Sequence, residues 1–141
     1  MIIFDEKYFK KMNFTPNQVN KYMESALNDL MIAEKADFPE VKFQFSYNCL
    51  VKLGIAISAV SGYKVSSRAG HHIKILEKMS EVLGDEEISV YGDKMRKIRN
   101  RDLYDGGMII TKKQAGEYFD FVKKAANSSG SFIKKRIGKL I

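Results

Sequence analysis

The sequence predicts an all-α protein, an up-and-down bundle of four to five helices joined by short connections. The chain has 141 residues, of which 45% are hydrophobic and 29% charged, as is typical of one globular domain. Apolar residues recur at helical spacing, and two Thr-x-x-Gln sequences mark helix starts. Strand signals are confined to short stretches such as VYGDKM and MIIT, which cannot build a sheet.

The first half of the chain is predicted to form two long helices. The sequence TPNQ at 15–18 is a capping box with proline at the first helical position, and its helix should extend to about Ala36. Pro39 then breaks the chain, and the next helix continues to about Ser61. It carries apolar residues on nearly every side, so we expect it in the middle of the bundle.

Three further helices are expected in the second half. After a loop at 61–70, the segment HHIKILEKMSEVLG at 71–84 is predicted to be a helix that ends at its glycine. Residues 86–104 should form the next helix, which stops at a pair of glycines. A second capping box, TKKQ at 111–114, opens the helix that contains AGEYFDFVKKAA.

The end of the chain is predicted to be a separate basic tail. The sequence NSSGS at 127–131 should act as a hinge between a helical bundle, residues 1–127, and an amphipathic helix, residues 128–141. The tail has four cations and no acid: Lys134, Lys135, Arg136 and Lys139. Its apolar side is formed by isoleucines, so it could grip a polyanion or fold back on the bundle.

The net charge of +7 is concentrated in two places, the tail and residues 93–101. Residues 93–101 hold five basic groups and one acid. Positive charge that is clustered in this way favours a polyanionic partner, most often nucleic acid. The alternative is a soluble, lysine-rich surface without a specific partner.

Several classes of protein are disfavoured by the composition. A single cysteine, Cys49, cannot form an internal disulfide and suits a reducing compartment. The amino-terminal sequence lacks the features of a signal peptide, and the most apolar window, residues 43–63, is too polar for a good membrane span. We therefore expect a cytoplasmic protein without a membrane span.

The sequence RKIRNRDLYDGG at 96–107 is the strongest candidate for a site. On a helix, four of its side chains share one flank beside the apolar stripe: Arg96, Arg99, Asn100 and Tyr104. Guanidinium groups match phosphate in a bidentate manner, so this flank could hold a phosphodiester, with Lys97 and Arg101 adding positive charge. The alternative is a solvated helix end whose cations interact with the helix dipole and with nearby aspartates.

The two histidines of the chain, His71 and His72, are adjacent at a predicted helix start. Consecutive side chains on a helix point about 100° apart, so the pair cannot hold one metal ion together. We expect no metal site and no cofactor. His72 shares a face with apolar residues and could be a packed histidine, or either imidazole could transfer a proton near neutral pH.

The order of these segments resembles the HEPN superfamily. The resemblance rests on SYNCLVKLGIAISAVSGYKVSSRAGHHIKILE, followed by MRKIRNRDLYDGG and MIITKKQA, and covers about residues 20–125. Within this superfamily, the chain most resembles small stand-alone members that carry RxxRNxxxYD after a GHH helix. Such a resemblance implies a nucleotide-binding protein of a bacterial or archaeal toxin–antitoxin or defence locus, and many members are dimeric, metal-independent ribonucleases.

The catalytic pattern that the resemblance implies is matched only in part. Arg99 and Asn100 correspond to its arginine and following polar residue, but Tyr104 stands where a histidine is expected. A phenol is a poor acid or base at neutral pH, so His71 or His72 would have to supply the imidazole. Three interpretations remain open: an RNA-cleaving enzyme, a non-catalytic binder of RNA or nucleotide, and a partner or substrate of a small nucleotidyltransferase or an antitoxin. The resemblance also implies a homodimer.

Overall fold

Helices account for most of the fold, with one small sheet beside them. The computed structural model describes residues 2–68, 70–104, 106–107 and 109–140. Within these residues the elements in chain order are β1 (Phe9–Lys11), α1 (Pro16–Lys35), α2 (Pro39–Val60), β2 (Tyr63–Val65), α3 (His71–Leu83), α4 (Glu86–Tyr104) and α5 (Lys112–Leu140). The predicted all-α bundle is confirmed, and α1 to α4 begin and end within one residue of their predicted bounds.

Both predicted capping boxes are present and set where α1 and α5 begin. The amide of Gln18 donates to the Thr15 hydroxyl at 3.2 Å, and the Thr15 amide donates to the Gln18 side chain at 2.8 Å. Thr111 and Gln114 form the same pair of bonds at 3.0 and 3.1 Å. Each box satisfies amide groups that would otherwise lack a partner at a helix start.

The predicted central helix is α2. It contacts each of the other four described helices, and Phe43, Leu50, Leu53 and Ile57 are fully buried on it. By length and composition α2 could also cross a membrane, although 72% of its most apolar window is buried inside the bundle. A core helix of a globular protein has the same properties, so the absence of a membrane span stays a prediction.

A close crossing between α2 and α3 positions the first turn of α3. A Cβ atom added at Gly54 of α2 would overlap the Ile75 side chain of α3 and lie 3.6 Å from Sδ of Met79. Glycine is therefore needed at this crossing, because any side chain would push the two helices apart. The close approach places the amino-terminal turn of α3 beside the middle of α2.

The loop predicted at 61–70 contains a strand that the sequence did not reveal. β2 pairs with β1 in an antiparallel sheet, with Phe9 opposite Val65 and Lys11 opposite Tyr63. Each strand has three residues, which is too short to show an alternating pattern, and the partners are more than fifty residues apart. The pairing holds the chain immediately before α3 against the amino-terminal segment.

The hinge predicted at residues 127–131 is wrong. α5 continues without interruption from Lys112 to Leu140, so no break separates bundle and tail at residue 127. Ser129 and Ile133 are buried against the bundle, at 0% and 3% exposure. Burial of this face outweighs the low intrinsic helix propensity of the serines and glycine in the segment.

Candidate functional site

A groove of about 480 Å³ lies between the start of α3 and the second half of α4. Five of the residues that the sequence singled out line it: His71, His72, Arg96, Arg99 and Asn100. Two residues of the segment before α3, Ser67 and Arg68, complete one wall. The structure therefore brings the GHH sequence together with Arg96, Arg99 and Asn100, which are separate from it in the chain.

The lining of this groove is strongly basic. Arg68, Arg96 and Arg99 contribute guanidinium groups, the two histidines contribute imidazoles, and none of the lining residues is acidic. Among the described residues, no carboxylate forms an ion pair with Arg99. A concave surface that carries only positive charge attracts anions.

Arg96 is held in place by an acid on its own helix. Its Nε and Nη2 atoms donate to Oδ1 of Asp93 at 3.2 and 2.9 Å, and Lys97 pairs with the other oxygen at 3.0 Å. These bonds from Lys97 and Arg96 lower the pKa of Asp93. Arg96 is therefore fixed in orientation but partly neutralised, whereas Arg68 and Arg99 have no such ion pair among the described residues. Of these two, Arg99 is the one that the sequence singled out.

Tyr47 of α2 is buried next to two of the groove residues, His72 and Arg99. It is 1% exposed, its hydroxyl oxygen lies 3.0 Å from Nδ1 of His72, and the Arg99 guanidinium lies 5.8 Å from the centre of its ring. Burial raises the pKa of Tyr47 to about 12, although Arg99 and Arg96 oppose the shift. The phenol therefore keeps its proton at neutral pH.

The hydroxyl of Tyr47 selects one tautomer of His72. No other acceptor for this hydroxyl is found among the described residues, so we assign it as the donor to Nδ1. The single proton of the neutral ring then lies on Nε2, which becomes a donor. Burial lowers the pKa of His72 to about 4, helped by His71, Arg99 and Arg96, so the ring is neutral at pH 7.

In His71 the hydrogen lies on the other ring nitrogen, Nδ1. Its Nδ1 lies 2.6 Å from the carbonyl oxygen of Arg68, and because a carbonyl can only accept, Nδ1 carries a hydrogen. In the neutral ring Nε2 is then an acceptor. The two rings lie 4.4 Å apart at an angle of 70°, so a donor and an acceptor nitrogen lie in one groove.

The backbone at the start of α3 adds to the attraction for anions. Gly70 is the N-cap, with a φ of 79°, and it has no side chain to accept bonds from the amides of the first turn. The amino-terminal end of a helix carries partial positive charge and readily binds phosphate. This end borders the groove together with the arginines.

Other predicted residues lie outside the groove. Lys97 lines a neighbouring groove between α3 and α4, and Arg101 is exposed on α4. The side chain of Tyr104 lies outside the described residues, so its predicted place on the Arg99 flank stays a prediction. On α5, Lys134 and Lys135 are exposed.

Two residues of the site were missed in the sequence. Tyr47 lies in an apolar helix and could not be distinguished from a packing residue, although a phenol in the most buried helix needs a hydrogen-bond partner. Arg68 lies three residues before the GHH helix, and its charge was a usable signal. Both contact a histidine, through the Tyr47 hydroxyl and the Arg68 carbonyl.

No group of three or more His, Cys, Asp or Glu side chains in the described part of the chain is placed to hold a metal ion. Comparison of the chain with protein-family models, with curated proteins and with solved structures gives no significant match.

Proposed function

We propose that the groove between α3 and α4 binds the phosphodiester backbone of RNA. One observation carries the proposal: three arginines, two imidazoles and a helix start without a side-chain cap line one concavity whose lining contains no carboxylate. Phosphate is the anion that this combination suits, because it accepts bidentate bonds from guanidinium groups and bonds from backbone amides. We also propose, from the sequence resemblance, that the chain is a HEPN-type protein of a toxin–antitoxin or defence system.

Each polar group has a definite role in this proposal. Arg99 forms the main charged contact, and Arg96, oriented by Asp93, supports it. The Nε2–H group of His72 donates to a phosphate oxygen, and the Asn100 side chain contacts the sugar or a second oxygen. Because His72 is neutral at pH 7, it contributes a directed hydrogen bond instead of a net charge.

Binding without cleavage is the activity that the protonation states favour. A general acid for RNA cleavage must carry a dissociable proton near neutral pH, and the pKa of His72 is far below that range. Its Nδ1 is already occupied by the Tyr47 hydroxyl. His72 therefore supplies neither the acid nor the base of such a step.

The test is a binding titration with fluorescent single-stranded RNA, comparing Arg99→Ala with Arg101→Ala. Both variants remove one positive charge from α4, but only Arg99 lines the groove. Loss of a charge-assisted bidentate contact should weaken binding by roughly tenfold or more for Arg99→Ala, and far less for Arg101→Ala. Equal losses in the two variants would show that only net charge matters and would remove the proposed site.

The same titration, run with EDTA and followed by gel electrophoresis, tests catalysis. We expect intact RNA with every variant. Cleavage that is lost in His71→Ala and in Arg99→Ala would replace the binding function by a metal-independent ribonuclease.

The alternative function, a partner or substrate of a small nucleotidyltransferase, stays a prediction, as does the homodimer. The hydroxyl of Tyr104 would accept a nucleotide in that case, and mass spectrometry of the chain after incubation with such an enzyme and ATP would detect the adduct. Tyr104→Phe should abolish it. Light scattering at tens of micromolar protein tests the dimer.

A further inference from the structure

A second, smaller cavity adjoins the candidate phosphate groove. Its volume is about 240 Å³, and Ser67 and His71 form part of the walls of both cavities. Three half-buried aromatic residues line it: Phe14, which precedes α1, Tyr22 of α1 and Tyr63 of β2. The cavity exists because β1 and β2 hold the segment before α3 close to the start of α1, a contact that the sequence did not predict.

The aromatic rings are fixed by their neighbours. Phe14 and Tyr22 pack edge to face, with ring centres 5.8 Å apart. Phe4 stacks on Tyr63 with centres 4.1 Å apart and planes within 8° of parallel. Because these contacts hold the rings in place, a planar ligand would meet a preformed surface, which reduces the entropy lost on binding.

Polar groups lie at the rim of this aromatic pocket. Ser66, Ser67 and the exposed Lys64 belong to its lining, together with His71 on the side of the groove. Neither cavity has a carboxylate among its lining residues. Hydroxyl and imidazole groups can donate to or accept from the edge of a base, and the ammonium group can donate to its carbonyl groups, while the rings contact its face.

Basic residues continue on the far side of the aromatic pocket. Phe14 and Tyr22 also border a cavity with Gln18 and Lys21, and Phe14 borders a groove of about 390 Å³ that includes Arg136 of α5. Aromatic rings thus lie between two sets of cations. A single-stranded nucleic acid has the complementary pattern, since each base lies between two phosphates.

We propose that this aromatic pocket, which contains Phe14, Tyr22 and Tyr63, binds one nucleobase of a single-stranded RNA whose phosphate occupies the neighbouring groove. The proposal rests on the proposed function of that groove. A base in a duplex is paired and stacked and cannot enter such a pocket, so single strands are the substrate class. The volume is below the roughly 300–1,000 Å³ typical of pockets for drug-sized ligands, a size that suits one base.

The experiment compares a short single-stranded RNA with an oligomer of equal length in which every base is missing. Both carry the same phosphates, so any difference in affinity for the native chain measures contacts to bases. We expect the base-containing oligomer to bind roughly tenfold more tightly, as is typical of one base stacked on aromatic side chains. Equal affinities would overturn the base pocket without involving any variant of the protein.

Two variants locate the contact. Tyr22→Ala should remove most of the preference for the base-containing oligomer and leave binding of the abasic one unchanged, whereas Tyr22→Phe keeps the ring and should keep the preference. Tyr91→Ala is the matched control, because Tyr91 is an exposed tyrosine of α4 outside the residues that line the pocket. A preference that survives Tyr22→Ala in a folded protein would place the base elsewhere.

The arginine variant distinguishes failure of the base pocket from failure of the phosphate site. If Arg99→Ala weakens binding of the abasic oligomer while the native chain shows no preference for bases, the phosphate groove stands and the base pocket is wrong. If Arg99→Ala leaves binding of the abasic oligomer unchanged, the proposed function itself fails. Free nucleosides that compete as strongly as the oligomer would indicate a small-molecule site and would also overturn the RNA assignment.

Discussion

The hydroxyl group of Tyr47 lies 3.0 Å from Nδ1 of His72, and the same aromatic ring lies beneath Arg99. One buried side chain therefore connects α2, α3 and α4 next to the basic groove. The hydrogen bond fixes which nitrogen of His72 faces the groove as a donor, and the ring supports Arg99. The geometry of the site thus depends on a residue that a bound phosphate would not need to touch.

Removal of this hydroxyl tests that dependence. Tyr47→Phe should lower the free energy of unfolding by about 1 kcal/mol, because one part-buried hydrogen bond is removed. RNA binding should weaken as well, since His72 no longer has a fixed tautomer. Urea denaturation and the RNA titration measure the two effects. The control is Tyr118→Phe, a half-buried tyrosine packed against Phe43, and a similar loss in both variants would argue against a special role for Tyr47.

The pKa of His72 predicts a dependence of stability on pH. The unfolded ring has a pKa of 6.5 and the folded ring a pKa of about 4, so between these values the unfolded state binds more protons. The contribution of His72 is present above pH 6.5 and is lost as the pH falls towards 4. Partial exposure of the ring should keep the slope below the roughly 1.4 kcal/mol per pH unit of a fully shifted group.

This pH dependence is measured as the difference in unfolding free energy between the native chain and His72→Gln. The difference should shrink as the pH is lowered from 7 to 4.5, whereas a difference that is constant over this range would contradict the assignment. Asp93 also has a lowered pKa, and its contribution cancels because it is present in both proteins.

Gly54 is expected to be intolerant of even a methyl group. Gly54→Ala places a Cβ against the Ile75 side chain, so it should lower the free energy of unfolding by about 1–3 kcal/mol. The displaced α3 should carry His72 away from Arg99 and weaken RNA binding. In Gly116→Ala, on α5, the new Cβ meets nothing within 4 Å, and stability should rise by up to about 1 kcal/mol. Thermal unfolding of the two variants measures both changes in stability. An unchanged stability of Gly54→Ala would mean that the two helices separate at little cost in free energy.

The exposed cations near the end of α5 are expected to contact RNA. Replacing both Lys134 and Lys135 by alanine should reduce the slope of log affinity against log salt by about 0.7 for each phosphate that the variant no longer neutralises. The control replaces Lys123 and Lys124, an equally exposed pair earlier on α5. Both double variants should keep their stability within about 0.5 kcal/mol. If the salt slope falls equally in the two, the effect is one of net charge.

Features that depend on local chemistry were predictable from the sequence. The starts of α1 and α5 follow from Thr15 and Thr111, because a capping box needs only four consecutive residues. The central position of α2 follows from its uniform hydrophobicity. The resemblance left open whether His71 or His72 supplies an imidazole beside Arg99, and spacing could not decide it, since helix periodicity does not specify which helices meet.

Features that depend on distant contacts were not predictable. The pairing of Phe9 with Val65 joins segments far apart in the chain, and it creates the aromatic pocket beside the groove. Ser129 belongs to a sequence that usually forms a turn, and only its burial against the bundle keeps it helical. Tyr47 looked like an ordinary core residue because its partner is contributed by another helix.

The continuity of α5 has a genetic consequence. Loss of a buried isoleucine such as Ile133 typically costs about 2–5 kcal/mol even when only its side chain is cut back. A stop codon after residue 127 would remove that side chain together with the buried Ser129, against a total stability that is usually about 5–15 kcal/mol. Such an allele would lower the abundance of the folded protein, so it could not test the proposed RNA binding separately from folding. Point substitutions of exposed cations such as Lys134 and Lys135 leave the helix in place and can test the two separately.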